Sequence, residues 1–141
     1  MQGISVQKIL AVGGSDARGE TRELFKGKPG LQVTLYHRHV GAIFAEHFHK
    51  GLDPSKDPEY FFLISGQVEV EAVNGITQER TVFSVNANEL VTIEKNIFHR
   101  FRALTEAVFL EYRTTVFDSS NADCFSEAEY QPYIDSLKII S

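Results

Sequence analysis

The chain has a single cysteine, Cys124, so no intrachain disulfide can hold it together. That scarcity suits a reducing compartment, and a cytoplasmic home is expected. No apolar stretch approaches the ~20 residues needed to span a bilayer. The opening stretch, Met1 to Val12, has only short apolar runs interrupted by Lys8 and makes a poor export signal. Positive charge is not in excess: 14 Lys and Arg against 19 Asp and Glu leave a net charge of −5. That balance offers no footprint for nucleic acid or an anionic membrane surface, and no segment reads as DNA-binding. Internal repeats, low-complexity runs and blocks of like charge are missing too. What remains reads as one domain, residues 1–141, long enough to bury a core.

The pattern inside that domain is short alternation. Residues 1–30 carry Gly13-Gly14, Gly19, Gly27 and Pro29-Gly30, and read as strands or loops ahead of a core at about 31–115. Leu31 to Val40 puts Leu31, Val33 and Leu35 on one face, shared with His37 and His39, and Gln32, Thr34 and Tyr36 on the other. Ala42 to His49 aligns Ile43, Ala45, His47 and His49. From Glu59, one face holds Glu59, Phe61 and Leu63, and the other Tyr60, Phe62 and Ile64. A strand apolar on both faces predicts a cover on its outer side, such as the second subunit of a homodimer. Val68, Val70 and Ala72 alternate with Gln67, Glu69 and Glu71, and Asn74-Gly75 predicts a tight hairpin turn. Further strands fall at Thr81 to Val85, Leu90 to Ile93, Phe98 to Leu104 and Ala107 to Val116. Many short strands separated by turns predict an all-β sandwich or barrel. The end differs: Ser126-Glu127-Ala128-Glu129 is a capping-box pattern, and Tyr130, Tyr133, Ile134 and Leu137 recur at helical spacing. A short C-terminal helix over 126–139 follows.

Four residues stand out chemically. His47-Phe48-His49 sets two imidazoles on one face of an extended strand, roughly 6–7 Å apart at the backbone. Glu59 opens an apolar run that ends at Ser65-Gly66, and its parity points it inward with Phe61 and Leu63. His99 follows the run Leu90 to Ile93 and the turn-like Glu94-Lys95-Asn96. An unpaired carboxylate inside a barrel would carry several kcal/mol of desolvation, which a bound cation removes. Three imidazoles and one carboxylate make a natural set of ligands for a divalent transition metal such as Zn, Fe, Ni or Mn.

The order of these residues resembles the cupin superfamily. Gly41, five residues, His47-Phe48-His49, Glu59 and then Gly66 follow the first cupin motif, with a longer gap containing Gly51, Pro54 and Pro58 that reads as an inserted loop. Asn88 to His99 matches the second motif, with Glu94 and Asn96 in place of its usual Pro and Gly. The resemblance implies a double-stranded β-helix, the jelly-roll cupin barrel. Within the cupins the chain is similar to the RmlC-like, sugar-nucleotide branch, and most to the C-terminal cupin domain of capsular polysaccharide biosynthesis proteins. Three segments carry this: Ser15-Asp16-Ala17-Arg18-Gly19-Glu20 with Glu23-Leu24-Phe25; His47-Phe48-His49-Lys50 with Lys56-Asp57-Pro58-Glu59; and Val116 to Phe125. Phe44-Ala45-Glu46 stands where that family tends to have Arg-Gly-Asn. The resemblance implies metal-assisted epimerisation or isomerisation beside a keto group of a nucleotide-linked deoxysugar, in polysaccharide biosynthesis. An iron- or nickel-dependent dioxygenase and a non-catalytic small-ligand binding cupin are the alternatives.

Other side chains keep two readings each. His37 and His39 form a second His-x-His, which is a second metal pair, a catalytic group at the mouth (His37 as general base) or a polar strand end. Tyr36 and Tyr112 are each a general acid or a core aromatic, with Tyr112 taken as the catalytic candidate. Arg38, Arg100 and Arg102 bind phosphate or carboxylate, or, as isolated arginines on strands, are expected to face solvent. Cys124 lies outside the motifs and is expected to be a buried spectator.

Overall fold

Strict alternation builds most of the sheet. In Gln67–Asn74, every second side chain (Val68, Val70, Ala72) is buried in the core and the intervening ones face outward. Eleven strands are seen in a computed structural model that describes residues 1–117, 120 and 122–140. Asp118, Ser119 and Asn121, in the closing segment of the family resemblance, lie outside the described residues. The strands are β1 (Ile4–Lys8), β2 (Ser15–Asp16), β3 (Gly19–Glu20), β4 (Gln32–Arg38), β5 (Ile43–His47), β6 (Glu59–Ser65), β7 (Gln67–Asn74), β8 (Glu79–Asn86), β9 (Glu89–Ile93), β10 (Ile97–Ala103) and β11 (Ala107–Arg113). One helix, α1 (Glu127–Ile140), follows. Two antiparallel sheets, β1-β9-β6-β11-β4 and β5-β10-β7-β8, face each other as a jelly roll. A two-stranded ribbon, β2-β3, stands apart from both.

The barrel has two hydrophobic clusters. The larger lies between the sheets, around Phe61, Leu63, Val70, Val91, Phe101 and Phe109. The smaller lies outside the four-stranded sheet, where α1 lays Tyr130 and Ile134 on Phe48 and Phe98. The periodic residues of the predicted helix are the ones that dock, and Tyr133 and Leu137 pack at the edge. The Tyr130 hydroxyl lies 2.9 Å from the Val73 carbonyl and 2.7 Å from that of Asn96, and accepts the Gly75 N–H at 2.9 Å. Gly75 is therefore set by close approach: a Cβ there would lie 2.9 Å from the Ile134 side chain. The hairpin at this point is not the tight two-residue turn expected from Asn74-Gly75. Asn74 pairs with Glu79 across a four-residue loop, and the Asn74 side chain caps it by accepting from Ile76 and Thr77. Among the described residues, no helix is long and apolar enough to cross a membrane.

Three expectations about faces are corrected. On β4 the apolar set lies outside: Leu31, Val33 and Leu35 are 68, 60 and 67 % exposed. Its inner face carries Tyr36 and Arg38, because this edge strand borders a polar cavity rather than the apolar core. On β6, Tyr60 is covered by the chain's own Phe25, which also stacks on Tyr112 with ring centres 4.0 Å apart. On β5 the alternation breaks. His47 pairs with His99 but Phe44 pairs with Phe101, so β5 holds one extra residue, a β-bulge. Ala45 sits in it at φ 51°. Phe44 therefore packs inward on Phe101 and Phe109, Ile43 is 59 % exposed, and the imidazoles after the bulge still face inward.

A left-handed backbone at a residue with a Cβ carries a penalty of about 1–2 kcal/mol, against a smaller entropic loss for glycine. Ala45→Gly is expected to raise stability by about 0.5–1 kcal/mol in urea unfolding. A loss of stability in that variant would show that the bulge is not strained at Ala45.

Candidate metal centre

Three strands and the segment after one of them bring the four residues together. β5 ends at His47, the chain continues through Phe48 to His49, β6 begins with Glu59, and His99 lies two residues into β10. One ligand atom from each lies within 4.8 Å of all the others. His49, Glu59 and His99 are 2, 3 and 0 % exposed, while His47 is half-buried and lines a cavity. The His49 and His99 Nε2 atoms stand 2.6 and 3.4 Å from the same Glu59 Oε1.

What surrounds the imidazoles fixes their protons. His49 Nδ1 donates to the Asp123 carbonyl, and His99 Nδ1 donates to the Ile97 carbonyl at 2.9 Å. In the neutral rings both Nε2 atoms then carry lone pairs, and both aim at an anionic oxygen. Accordingly His49 Nε2, His99 Nε2 and Glu59 Oε1 have no aligned hydrogen bond despite their closeness. Electron pairs facing a buried carboxylate need a cation between them, a proton or a metal. Burial works to push the Glu59 carboxyl up, but the facing imidazoles outweigh it and hold the group well below the usual range. That pull exists only when positive charge sits between them. Burial first, then the neighbouring His99 and His49, push His47 down to about 3.

The loop between the ligands is tied down by Asp123. Its buried carboxylate accepts the N–H groups of Lys50, Gly51, Leu52 and Asp53 at 2.7 to 3.1 Å, while its own carbonyl orients His49. Sequence reasoning missed this residue; the only available signal was an acidic residue near the chain end and an unusually long loop to anchor. His47 Nδ1 lies 3.2 Å from Cys124 Sγ, and Cys124 is exposed rather than a buried spectator.

A cavity of about 220 Å³ opens beside His47 and Glu59, bordered by Tyr36, Arg38, Lys56, Glu111 and Arg113. The Tyr36 hydroxyl donates to Glu111 Oε1 at 3.0 Å, and Arg113 donates to the same oxygen at 2.7 Å. Burial, then the Glu59 charge, pushes Glu111 up to about 8 against the pull of Arg113. Burial also pushes the Tyr36 phenol up, as does the Glu111 charge. The structure does not bring His37 or Tyr112 to this cavity. His37 points outward to Glu106, and the Tyr112 hydroxyl donates to the Lys28 carbonyl. Arg38 faces the cavity instead of solvent, with its guanidinium 5.0 Å from the Tyr36 ring centre. Arg100 is half-buried and holds Glu46, Glu71 and Glu127, and exposed Arg102 pairs with Glu69.

The lowered His47 value has a consequence for the metal-free chain. Between 6.5 and about 3 the folded chain binds fewer protons at this ring than the unfolded one, so stability falls as pH drops through that window. In chelator, His47→Gln should flatten the loss of urea stability between pH 7 and pH 5 relative to wild type. Equal losses in both proteins would show that His47 titrates normally.

No protein-family model matches the chain, and no curated protein matches it. Solved structures do. A 3,4-ketoisomerase from Helicobacter canadensis aligns with TM-score 0.74 and 16 % identity over 94 % of this chain and 97 % of that one. QdtA, a sugar 3,4-ketoisomerase from Thermoanaerobacterium thermosaccharolyticum in complex with TDP, aligns with TM-score 0.73 and 15 % identity over 99 % of this chain and 97 % of that one. ChmJ, a 3'-monoepimerase from Streptomyces bikiniensis in complex with dTDP-quinovose, aligns with TM-score 0.68 and 20 % identity over 84 % of this chain and 67 % of that one. The chain is a cupin in fold, built on the same jelly roll as these epimerases and ketoisomerases.

Proposed function

We propose that the chain is an isomerase or epimerase of a nucleotide-linked keto sugar, with a divalent transition metal held by His47, His49, Glu59 and His99. One observation carries the reading: Glu59 and His47, with the buried His49 and His99 converging behind them, form one wall of a cavity whose other walls carry cations and a phenol–carboxyl pair. A metal in that place would polarise a keto oxygen and acidify the adjacent C–H. The rest of the work falls to the chain's own side chains. Lys56 and Arg38 offer positive charge for a substrate diphosphate, while Arg113 is paired with Glu111. The Tyr36 hydroxyl and Glu111 share a hydrogen bond, and burial raises the Glu111 carboxyl, so the pair can hold and pass a proton. This pair takes the acid–base role in place of His37 and Tyr112. The solved structures with the same fold, among them an epimerase holding dTDP-quinovose, support the substrate class. The same ligands would serve an iron or nickel oxygenase; the cationic and proton-bearing walls favour the isomerase.

We also propose that the chain pairs as a homodimer through the outer face of β4, where Leu31, Val33 and Leu35 form an exposed apolar strip.

Incubation with nucleotide-linked 4-keto sugars in D₂O is expected to place deuterium on the carbon beside the ketone. Chelation should abolish uptake, and Tyr36→Phe should slow it by about 10²-fold. Elemental analysis should find His49→Ala and His99→Ala stripped of metal with the fold intact by circular dichroism. Metal-loaded wild type that incorporates no deuterium from any such sugar would refute the activity. For the assembly, light scattering should give twice the chain mass for wild type and the single-chain mass for Leu35→Glu; a monomeric wild type would rule the dimer out.

A further inference from the structure

The second His-x-His finds a partner that the catalytic reading leaves unused. β4 pairs with β11 so that Arg38 lies opposite Ala107, which brings Glu106, in the turn before β11, beside the end of β4. His37 Nε2 stands 2.9 Å from Glu106 Oε2, and His39 Nδ1 stands 3.2 Å from Oε1 and 3.3 Å from Oε2. The two imidazole centres are 5.0 Å apart with their planes nearly perpendicular, so each presents one nitrogen to the same carboxylate. One ligand atom from each of the three residues lies within 4.8 Å of the others.

We propose that His37, His39 and Glu106 form a second divalent-metal site, of the zinc class, on the outer surface of the barrel. Zinc bonds of about 2.0–2.1 Å put neighbouring tetrahedral ligands about 3.3–3.4 Å apart, and each imidazole nitrogen already stands 2.9 to 3.3 Å from a Glu106 oxygen. Two borderline nitrogens and one hard oxygen are a common zinc set, and three protein ligands leave the fourth position to water. All three side chains are more than half exposed, so the cation enters from solvent without any opening of the barrel. The site would join the end of β4 to the β10–β11 turn. Arg38, between the two histidines, points the other way into the cavity. A cation outside would therefore steady the strand end that carries a cavity-lining guanidinium.

Zinc chloride titrated into wild type, His39→Ala and Glu106→Gln, in buffer free of imidazole and chelator, tests this site. Both substitutions are on the surface and spare the core, and urea unfolding checks that each variant folds. His39→Ala is expected to bind one equivalent fewer than wild type, and Glu106→Gln to bind that equivalent about tenfold or more weakly. Zinc should also raise the thermal midpoint of wild type more than that of His39→Ala. Because His49→Ala removes a different equivalent, the two losses should add in the double variant. A wild-type isotherm in His39→Ala overturns the assignment, whatever His49→Ala does at the buried centre.

Discussion

The Glu59 carboxylate, enclosed at the start of β6 and faced by the lone pairs of two imidazoles, is the constraint on which the rest of the structure depends. An ion of one sign buried this deeply is tolerated only with an opposite charge against it. The ion pairs of Glu59 are with His49 and His99, and buried Arg113 is paired with Glu111 at 2.7 Å. The imidazoles cannot hand over Nδ1 protons, since backbone carbonyls of Asp123 and Ile97 already hold them. Those two hydrogen bonds turn both Nε2 atoms toward Glu59, where a proton or a metal between them would supply the positive charge. The Asp123 clamp belongs to the same logic. By gathering four N–H groups from residues 50–53, it holds the long loop that separates His47 and His49 from Glu59.

The barrel interior is divided as a result. Towards β7 and β8 it is filled with Val68, Val70, Val85 and Phe83. Towards β4 and the start of β6 it is polar and open. Phe44, Phe61 and Phe109 border both regions, stacked or edge-on within about 6 Å of one another. A substrate in the cavity would thus meet aromatic faces on one side and Tyr36, Glu111, Arg113 and Lys56 on the other. Such a mixture suits a sugar ring with polar substituents, and it leaves the apolar half to carry the stability.

Much of this was legible from residue order. The inward parity of Glu59, the alternation of β7 and the docking face of α1 follow from local period, and the grouping of His47, His49 and His99 from motif order. What was hidden depends on neighbours distant in sequence. The inner face of β4 is polar because it borders a cavity, so its apolar residues mark the outside, and a rule that sends apolar faces inward misplaces His37 with them. Asp123 acts through loop backbone some 70 residues away, and nothing in its own surroundings announces that. Tyr112 faces outward because Phe25, from a segment that looked like mere loop, covers it.

The two His-x-His pairs carry the same spacing on consecutive strands and meet opposite fates, and the difference is one residue. β4 keeps its alternation from Gln32 to Arg38, so with Tyr36 and Arg38 inward the flanking His37 must face out. On β5, unbroken alternation with Phe44 inward would likewise have turned His47 and His49 to solvent. The extra residue at Ala45 lets Phe44 and His47 both point inward, one filling the core and the other the centre. The family whose motifs this chain resembles tends to place glycine where Ala45 stands, and the positive φ supplies the reason. Ligand convergence in this fold therefore rests on a backbone irregularity as much as on the histidines, and the five residues between Gly41 and His47 already include the one that the bulge absorbs.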